Sequence, residues 1–167
     1  FAEGIFDREA IAVAYGDVAY RMVPVVGLPQ YDGPDQASLM VMDALSGVLA
    51  DLPDDPRTLV VRPGVGHLPM AVRARWPGAS VVLLDRDLLA VRASERALGD
   101  GAAVATFAAT DFAGVKTGEP FDLAIAMIPD QMRPPVMARL LEDLLGRLVP
   151  AGTLLVGGDS TEVSRFL

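Results

Sequence analysis

The chain contains no cysteine and one histidine, His67. The first absence excludes a disulfide framework, a cysteine-based zinc site and a thiol nucleophile. The second excludes multi-histidine metal centres and leaves a Ser-His-Asp triad remote. Lysine is nearly missing too: of 14 Lys plus Arg only Lys116 is lysine, and 22 Asp plus Glu bring the net charge to −8. A domain that grips nucleic acid through its backbone shows a basic face. Here the arginines are spread along the chain, with loose pairs at Arg73/Arg75 and Arg92/Arg96. Strong, autonomous nucleic-acid binding is therefore not expected, while a part beside a more basic partner domain stays open. No apolar run reaches the roughly 18–20 residues of a membrane span, and no secretory signal opens the chain. A cytoplasmic location with no membrane partner is expected. A length of 167 residues suits one domain, and an opening Phe rather than Met leaves flanking sequence to be expected.

What is present alternates. Ile11 to Tyr15 and Val18 to Val23 read as two short strands around Gly16-Asp17. "VPVVGLPQYDGPD", Val23 to Asp35, is a proline- and glycine-rich loop. Asp35 or Ser38 can cap a helix to about Ala50, with Leu39, Met42, Leu45 and Leu49 as its apolar stripe. Strands are then predicted over Thr58–Val61, Ser80–Leu84, Ala103–Phe107, Phe121–Met127 and Thr153–Val156. Helices are predicted over His67–Trp76, Asp87–Leu98 and Pro134–Leu148, and Ser160 or Thr161 opens a last one. The strands are continuous apolar runs, as strands covered on both faces require. The predicted fold is α/β: a doubly wound, mostly parallel, Rossmann-like sheet. Residues 1–31 form an N-terminal β-hairpin and loop extension, and 32–167 the α/β domain.

In such sheets ligands bind beyond the carboxyl ends of the strands, where the strand order reverses. Gly64 and Gly66 stand on the turn from the first strand of this domain into its helix, where backbone can approach a ligand. Asp85 ends the next strand, placed to accept ribose hydroxyls, and Asp111 follows the third, placed to accept from an adenine amino group. The competing reading makes the glycines packing residues and the aspartates strand-end caps. A dinucleotide fingerprint asks for a third glycine where Pro69 stands, which disfavours NAD or FAD. S-adenosylmethionine carries no phosphate and accepts a looser glycine turn.

"VVRPGVGHLPMAVRARWPGASVVLLDRDLLAVRASERAL" resembles the first two motifs of class I S-adenosylmethionine-dependent methyltransferases. More narrowly it is similar to the ribosomal RNA small-subunit guanine-N2 methyltransferases, tandem proteins with a degenerate N-terminal half and an active C-terminal half. "GDVAYRMVPVVGLPQYDGPDQASLMVMDAL" and "FDLAIAMIPDQMRPPVMARLLEDLLGRLVPAGTLLVGGDSTEVSRFL" resemble the N-terminal half. The resemblance implies a class I methyltransferase fold lacking its last two strands after residue 167. It also implies S-adenosylmethionine as the cofactor type, at Gly64, Gly66, Asp85 and Asp111. The partners it implies are a catalytic half in the same full-length protein and rRNA through that half, with no metal.

The departures matter as much. Active halves carry an acid before the glycine turn, on the cofactor's ammonium; this chain has Arg62, read either as a repelling cation or as a solvated strand-end residue. They also carry an Asn-Pro-Pro-aromatic segment that orients the base. Here "MIPDQM" keeps one proline and leaves Pro129, Asp130 and Gln131 as the substrate-side candidates, or as a polar turn ahead of Pro134 and Pro135. His67 is read as a turn or helix-end residue, and no catalytic residue is assigned. Trp76 and Pro77 read as a helix end, and Met127 and Met137 as core. Three readings stand: a non-catalytic half that aids recognition or scaffolding, an active methyltransferase on RNA or a small acceptor, and an interaction module with a vestigial pocket.

Overall fold

The structure is a computed structural model that describes residues 6–47, 52–99, 104–108 by their backbone, 115, 117–129 and 131–158. Strands β1 (Ile11–Tyr15) and β2 (Val18–Met22) pair antiparallel, Tyr15 opposite Val18. Alternate residues of β2, Val18, Tyr20 and Met22, are buried. The Val23–Asp35 loop is tied to the chain start by hydrogen bonds from Arg8 N–H to Pro24 O (3.0 Å) and from Val26 N–H to Phe6 O (2.8 Å). Helix α1 (Gln36–Gly47) starts where predicted, because the Asp35 carboxylate accepts from Ser38 N–H at 2.8 Å and caps it. The end of that helix predicted at Ala50 lies outside the described residues, as do Asp111, Asp130 and the final helix.

Next come β3 (Arg57–Val61), α2 (His67–Arg75), β4 (Ser80–Asp85), α3 (Leu88–Leu98), β5 (Val104–Ala108), β6 (Phe121–Met127), α4 (Pro134–Leu145) and β7 (Leu148–Gly157). Asp87 caps α3, accepting from Leu89 N–H and Ala90 N–H. Among the described residues β5-β4-β3-β6-β7 form one sheet in which every pairing is parallel. The chain winds outward from β3 through β4 to β5, then returns to β6 and β7, so the order reverses between β3 and β6.

Both faces are covered, which is why the strands read as unbroken apolar runs. On one face Val60, Val81, Leu83, Leu123 and Ile125 pack with α1, α2, α3 and the hairpin. On the other Leu59, Val61, Val82, Leu84, Ala124 and Ala126 pack with Met137 and Leu144 of α4. Each Val, Leu, Ile or Met among them taken fully from water contributes about 1.5–3 kcal/mol.

Two boundaries differ from the pattern by more than one residue. Helix α4 ends at Leu145, and β7 is longer than Thr153–Val156: it starts at Leu148, opposite Phe121, and is interrupted before Thr153 pairs Leu123. Pro150 has no donor for the ladder and Ala151 sits at φ 70, so "LVPAG" reads as a breaker although it is an irregular strand start. At its far end β7 closes on α1. A Cβ on Gly157 would stand 2.6 Å from Met127 Sδ and 2.9 Å from Val41 Cγ2. Gly157→Ala is expected to lower stability by about 1–3 kcal/mol through overpacking, seen in urea as an earlier midpoint at an unchanged m-value.

Candidate functional site

The carboxyl edge of the sheet collects the candidate residues by register. The parallel ladder continues one residue past β3: Arg62 N–H donates to Leu84 O at 2.8 Å. Asp85 follows directly as the last residue of β4, level with Ala108 of β5, and Met127 of β6 pairs with Gly157 of β7. Pro129 and Gln131 lie just beyond β6, the neighbour of β3 across the point where the order reverses. Arg62, Gly64, Gly66 and Asp85 are thus brought together, with Pro129 and Gln131 one strand away.

The turn is left-handed at three residues: Arg62 at φ 59, Gly64 at φ 58 and Gly66 at φ 112. Glycine takes this region freely, whereas an arginine there costs about 1–2 kcal/mol. Gly66 N–H closes the turn on Pro63 O at 3.0 Å, and Gly66 is the N-cap of α2. The two glycines have different neighbours. A Cβ on Gly66 would meet Ser94 Cα at 3.2 Å and Ala97 Cβ at 3.3 Å, so this position lets α2 and α3 approach closely. A Cβ on Gly64 would meet only the Pro29 carbonyl of the loop, at 3.5 Å, while Gly64 O accepts from the buried Ser94 hydroxyl at 3.2 Å. The packing reading therefore accounts for Gly66, and Gly64 lies between the loop and the turn.

Asp85 is 8% exposed; its Oδ1 accepts from Asp87 N–H at 3.1 Å, and among the described residues Oδ2 has no donor. One carboxylate oxygen is therefore available to a ligand's hydroxyl. The Arg62 guanidinium, partly exposed, has no hydrogen-bond or ion-pair partner among the described residues. Pro69, third residue of α2, leaves the helix start with one backbone donor fewer for a phosphate. Gln131 is exposed on a turn closed by Met132 N–H to Pro129 O at 3.0 Å. No group of His, Cys, Asp and Glu suited to a metal occurs among the described residues, and no described helix is long and apolar enough to cross a membrane.

His67 has a larger part than a helix-end residue. It is fully buried, with Nδ1 2.8 Å from the Tyr20 hydroxyl of β2 and Nε2 3.0 Å from Gln30 O in the loop. These contacts span 47 and 37 residues, so no local pattern discloses them. The available signal was a lone histidine opening an apolar helix, where a buried ring must find partners. Trp76 follows the last residue of α2, as predicted, and is buried; Met137 is core, as predicted, while Met127 is only part-buried against it.

At the opposite edge a cleft of about 420 Å³ is lined by Thr117–Pro120 with Gly146 and Arg147. Arg147 of its lining donates to Val115 O and Thr117 Oγ1, and the nearby Arg57 to Thr117 O and Glu119 O, so both serve structure.

No family model matches the chain, and no curated relative does. Solved structures do. The 16S rRNA N2 G1207 methyltransferase (RsmC) of T. thermophilus, in complex with AdoMet and guanosine, superposes with a TM-score of 0.70 at 20% identity over 90% of this chain. The chain has the class I methyltransferase fold. A SAM-dependent methyltransferase of Agrobacterium tumefaciens gives 0.63 at 14% identity, covering 90% of this chain and 53% of that one. The ribosomal protein L11 methylase of Lactobacillus delbrueckii subsp. bulgaricus gives 0.60 at 23%, covering 80% and 65%. The chain spans 42% of the length of the T. thermophilus enzyme.

The two glycines are expected to respond differently to substitution. Gly66→Ala forces both φ and the α2–α3 contact and is expected to cost about 2–4 kcal/mol, against about 1–2 kcal/mol for Gly64→Ala, where only φ is strained. Equal losses in parallel urea titrations would contradict this assignment.

Proposed function

We propose that this chain is a methyltransferase-type domain that has given up catalysis, the silent half of a larger enzyme of the rRNA guanine-N2 methyltransferase kind. It scaffolds the catalytic half and helps seat the rRNA, in the cytoplasm. S-adenosylmethionine is the ligand class for which its carboxyl edge was laid out, with Gly64, Gly66, Asp85 and Asp111 on the cofactor side and Pro129, Asp130 and Gln131 toward the substrate. The observation that carries this reading is Arg62. It stands on the last rung of the β3–β4 ladder, beside the turn, with no partner among the described residues. Two like unit charges about 4 Å apart repel by roughly 4 kcal/mol at an effective dielectric near 20. A cofactor ammonium placed beside Arg62 loses on the order of a thousandfold in affinity on that scale. The segment after β6 adds support, having neither an Asn nor an aromatic ring to orient a base.

Asp85 favours a second reading, an active S-adenosylmethionine-dependent enzyme on RNA or a small acceptor, because its free oxygen keeps the means to hold a ribose. A third, an interaction module with a vestigial pocket, rests on the acidic surface, net −8, meeting a basic partner.

Calorimetric titration with S-adenosylmethionine and S-adenosylhomocysteine separates them. The native chain is expected to show no micromolar binding, and Arg62→Asp to gain at least about tenfold, or 1.4 kcal/mol. Micromolar binding by the native chain, lost in Asp85→Ala and accompanied by methyl transfer to RNA, would establish the active enzyme. No binding by either form favours the interaction module.

A further inference from the structure

Asp85 is 8% exposed, and among the described residues only its Oδ1 is taken, by Asp87 N–H. A carboxylate so deep in the fold asks for a donor on its second oxygen. Across the ladder stands Arg62. Val61 pairs with Leu84 and Arg62 N–H donates to Leu84 O, so Arg62 falls level with Asp85, about 5 Å away between strand backbones. Its guanidinium is partly exposed and enters no hydrogen bond or ion pair among the described residues. Arg86, exposed on the residue after Asp85, has no partner there either, whereas the Asp87 carboxylate is engaged in capping α3. In a chain of net charge −8, two unneutralised cations thus flank the free oxygen of Asp85, one across the sheet and one along the chain.

The turn that follows Arg62 adds donors. Gly66, the N-cap of α2, has no side chain to answer the first amides of the helix, and no other side chain caps them. His67 N–H and Leu68 N–H find no acceptor among the described residues, and Pro69 has no amide to offer. Two amides alone are a weak anion site; beside a free guanidinium they reinforce one. On the loop side the Pro29 carbonyl lies against Gly64, an acceptor that an anion avoids. The negative group of a ligand therefore belongs with Arg62.

We propose that this edge takes a ribonucleoside 5′-monophosphate: Asp85 accepts from the ribose hydroxyls, and Arg62, beside the glycine turn, holds the phosphate. This rests on the reading that the turn and Asp85 make a nucleoside site, and it reverses the charge of the group carried at the 5′ position. The cation that repels an ammonium matches a phosphate, which a guanidinium can grip with two parallel hydrogen bonds. A ribose bears its hydroxyls and its 5′ substituent on opposite sides, so one nucleotide can meet an acceptor and a donor held on adjacent strands. A free mononucleotide and the last residue at the 3′ end of an RNA share this chemistry. The net charge of −8 favours the first, because each further phosphate is repelled.

Calorimetry of the full chain with adenosine, adenosine 5′-monophosphate and the dideoxy analogue lacking both ribose hydroxyls tests each contact. The monophosphate is expected to bind at least about tenfold tighter than adenosine in roughly 0.05 M salt, the ratio shrinking toward about 1 M as screening shortens the reach of the charge. The ratio is expected to collapse in Arg62→Gln and in Arg62→Gly, the second of which also relieves the left-handed backbone, and to persist in Arg62→Lys. The dideoxy analogue is expected to bind about tenfold more weakly than the monophosphate, having no donor for Asp85. Equal affinity for adenosine and the monophosphate, or a ratio that survives in both Arg62→Gln and Arg62→Gly, overturns the phosphate assignment and leaves the nucleoside site standing. Equal affinity for the monophosphate and its dideoxy analogue, or no millimolar binding of any of the three, overturns the nucleoside site itself. A ribotrinucleotide ending in adenosine is expected to bind more weakly than the monophosphate; tighter binding overturns the free-nucleotide assignment in favour of an RNA end.

Discussion

The hydrogen bond from Arg62 N–H to Leu84 O extends the β3–β4 ladder beyond the strand and sets the geometry of the whole carboxyl edge. It fixes the last residue of the row before the chain leaves the sheet, and so fixes where the glycine turn begins and which atoms Asp85 lies beside. It also holds a bulky side chain in a backbone region that favours glycine. The sheet can impose this because β3 is central, paired on both sides and covered on both faces, so the ladder cannot shift to relieve one residue. Arg62 is strained and placed by its neighbours, and the charge it brings is a consequence of a position the sheet dictates.

Much of this was legible in the residues. Apolar runs bounded by Gly, Pro and Asp disclosed the strands, because a buried parallel strand leaves no polar face to confuse the pattern. Asp35 and Asp87 announced two helix starts through side chains that answer orphan amides. The Gly-x-Gly turn and Asp85, about twenty residues later, could be expected to lie close together, since both lie at ends of neighbouring strands. What stayed hidden was what long-range contact decides. The start of β7 was masked by Pro150, because the pairing of Leu148 with Phe121 outweighs a local breaker. The division of labour between Gly64 and Gly66 depends on α3, which lies thirty residues on. The Tyr20–His67–Gln30 chain joins three segments that no window of sequence spans.

The turn is best seen as the meeting point of three supports: α3 through Ser94 and Ala97, the loop through Pro29, and the β3–β4 ladder through Arg62. Each uses a different interaction, a close packing contact, a carbonyl approach and a backbone bond. A change in any one is felt as a displacement of the same few backbone atoms, which gives distant parts of the chain a common point of action.

The hairpin carries a last consequence. Val18, Tyr20 and Met22 belong to the same apolar cluster as the helices on that face of the sheet, and Tyr20 holds the ring at the start of α2. What looks like an appendage in the chain order is therefore an interior wall of the folded unit. Shortening the protein to its α/β repeat would uncover a slab of α2 and leave His67 short of a partner. Such a fragment would expose that apolar face to water, so the α/β unit keeps its covered face only with its hairpin attached.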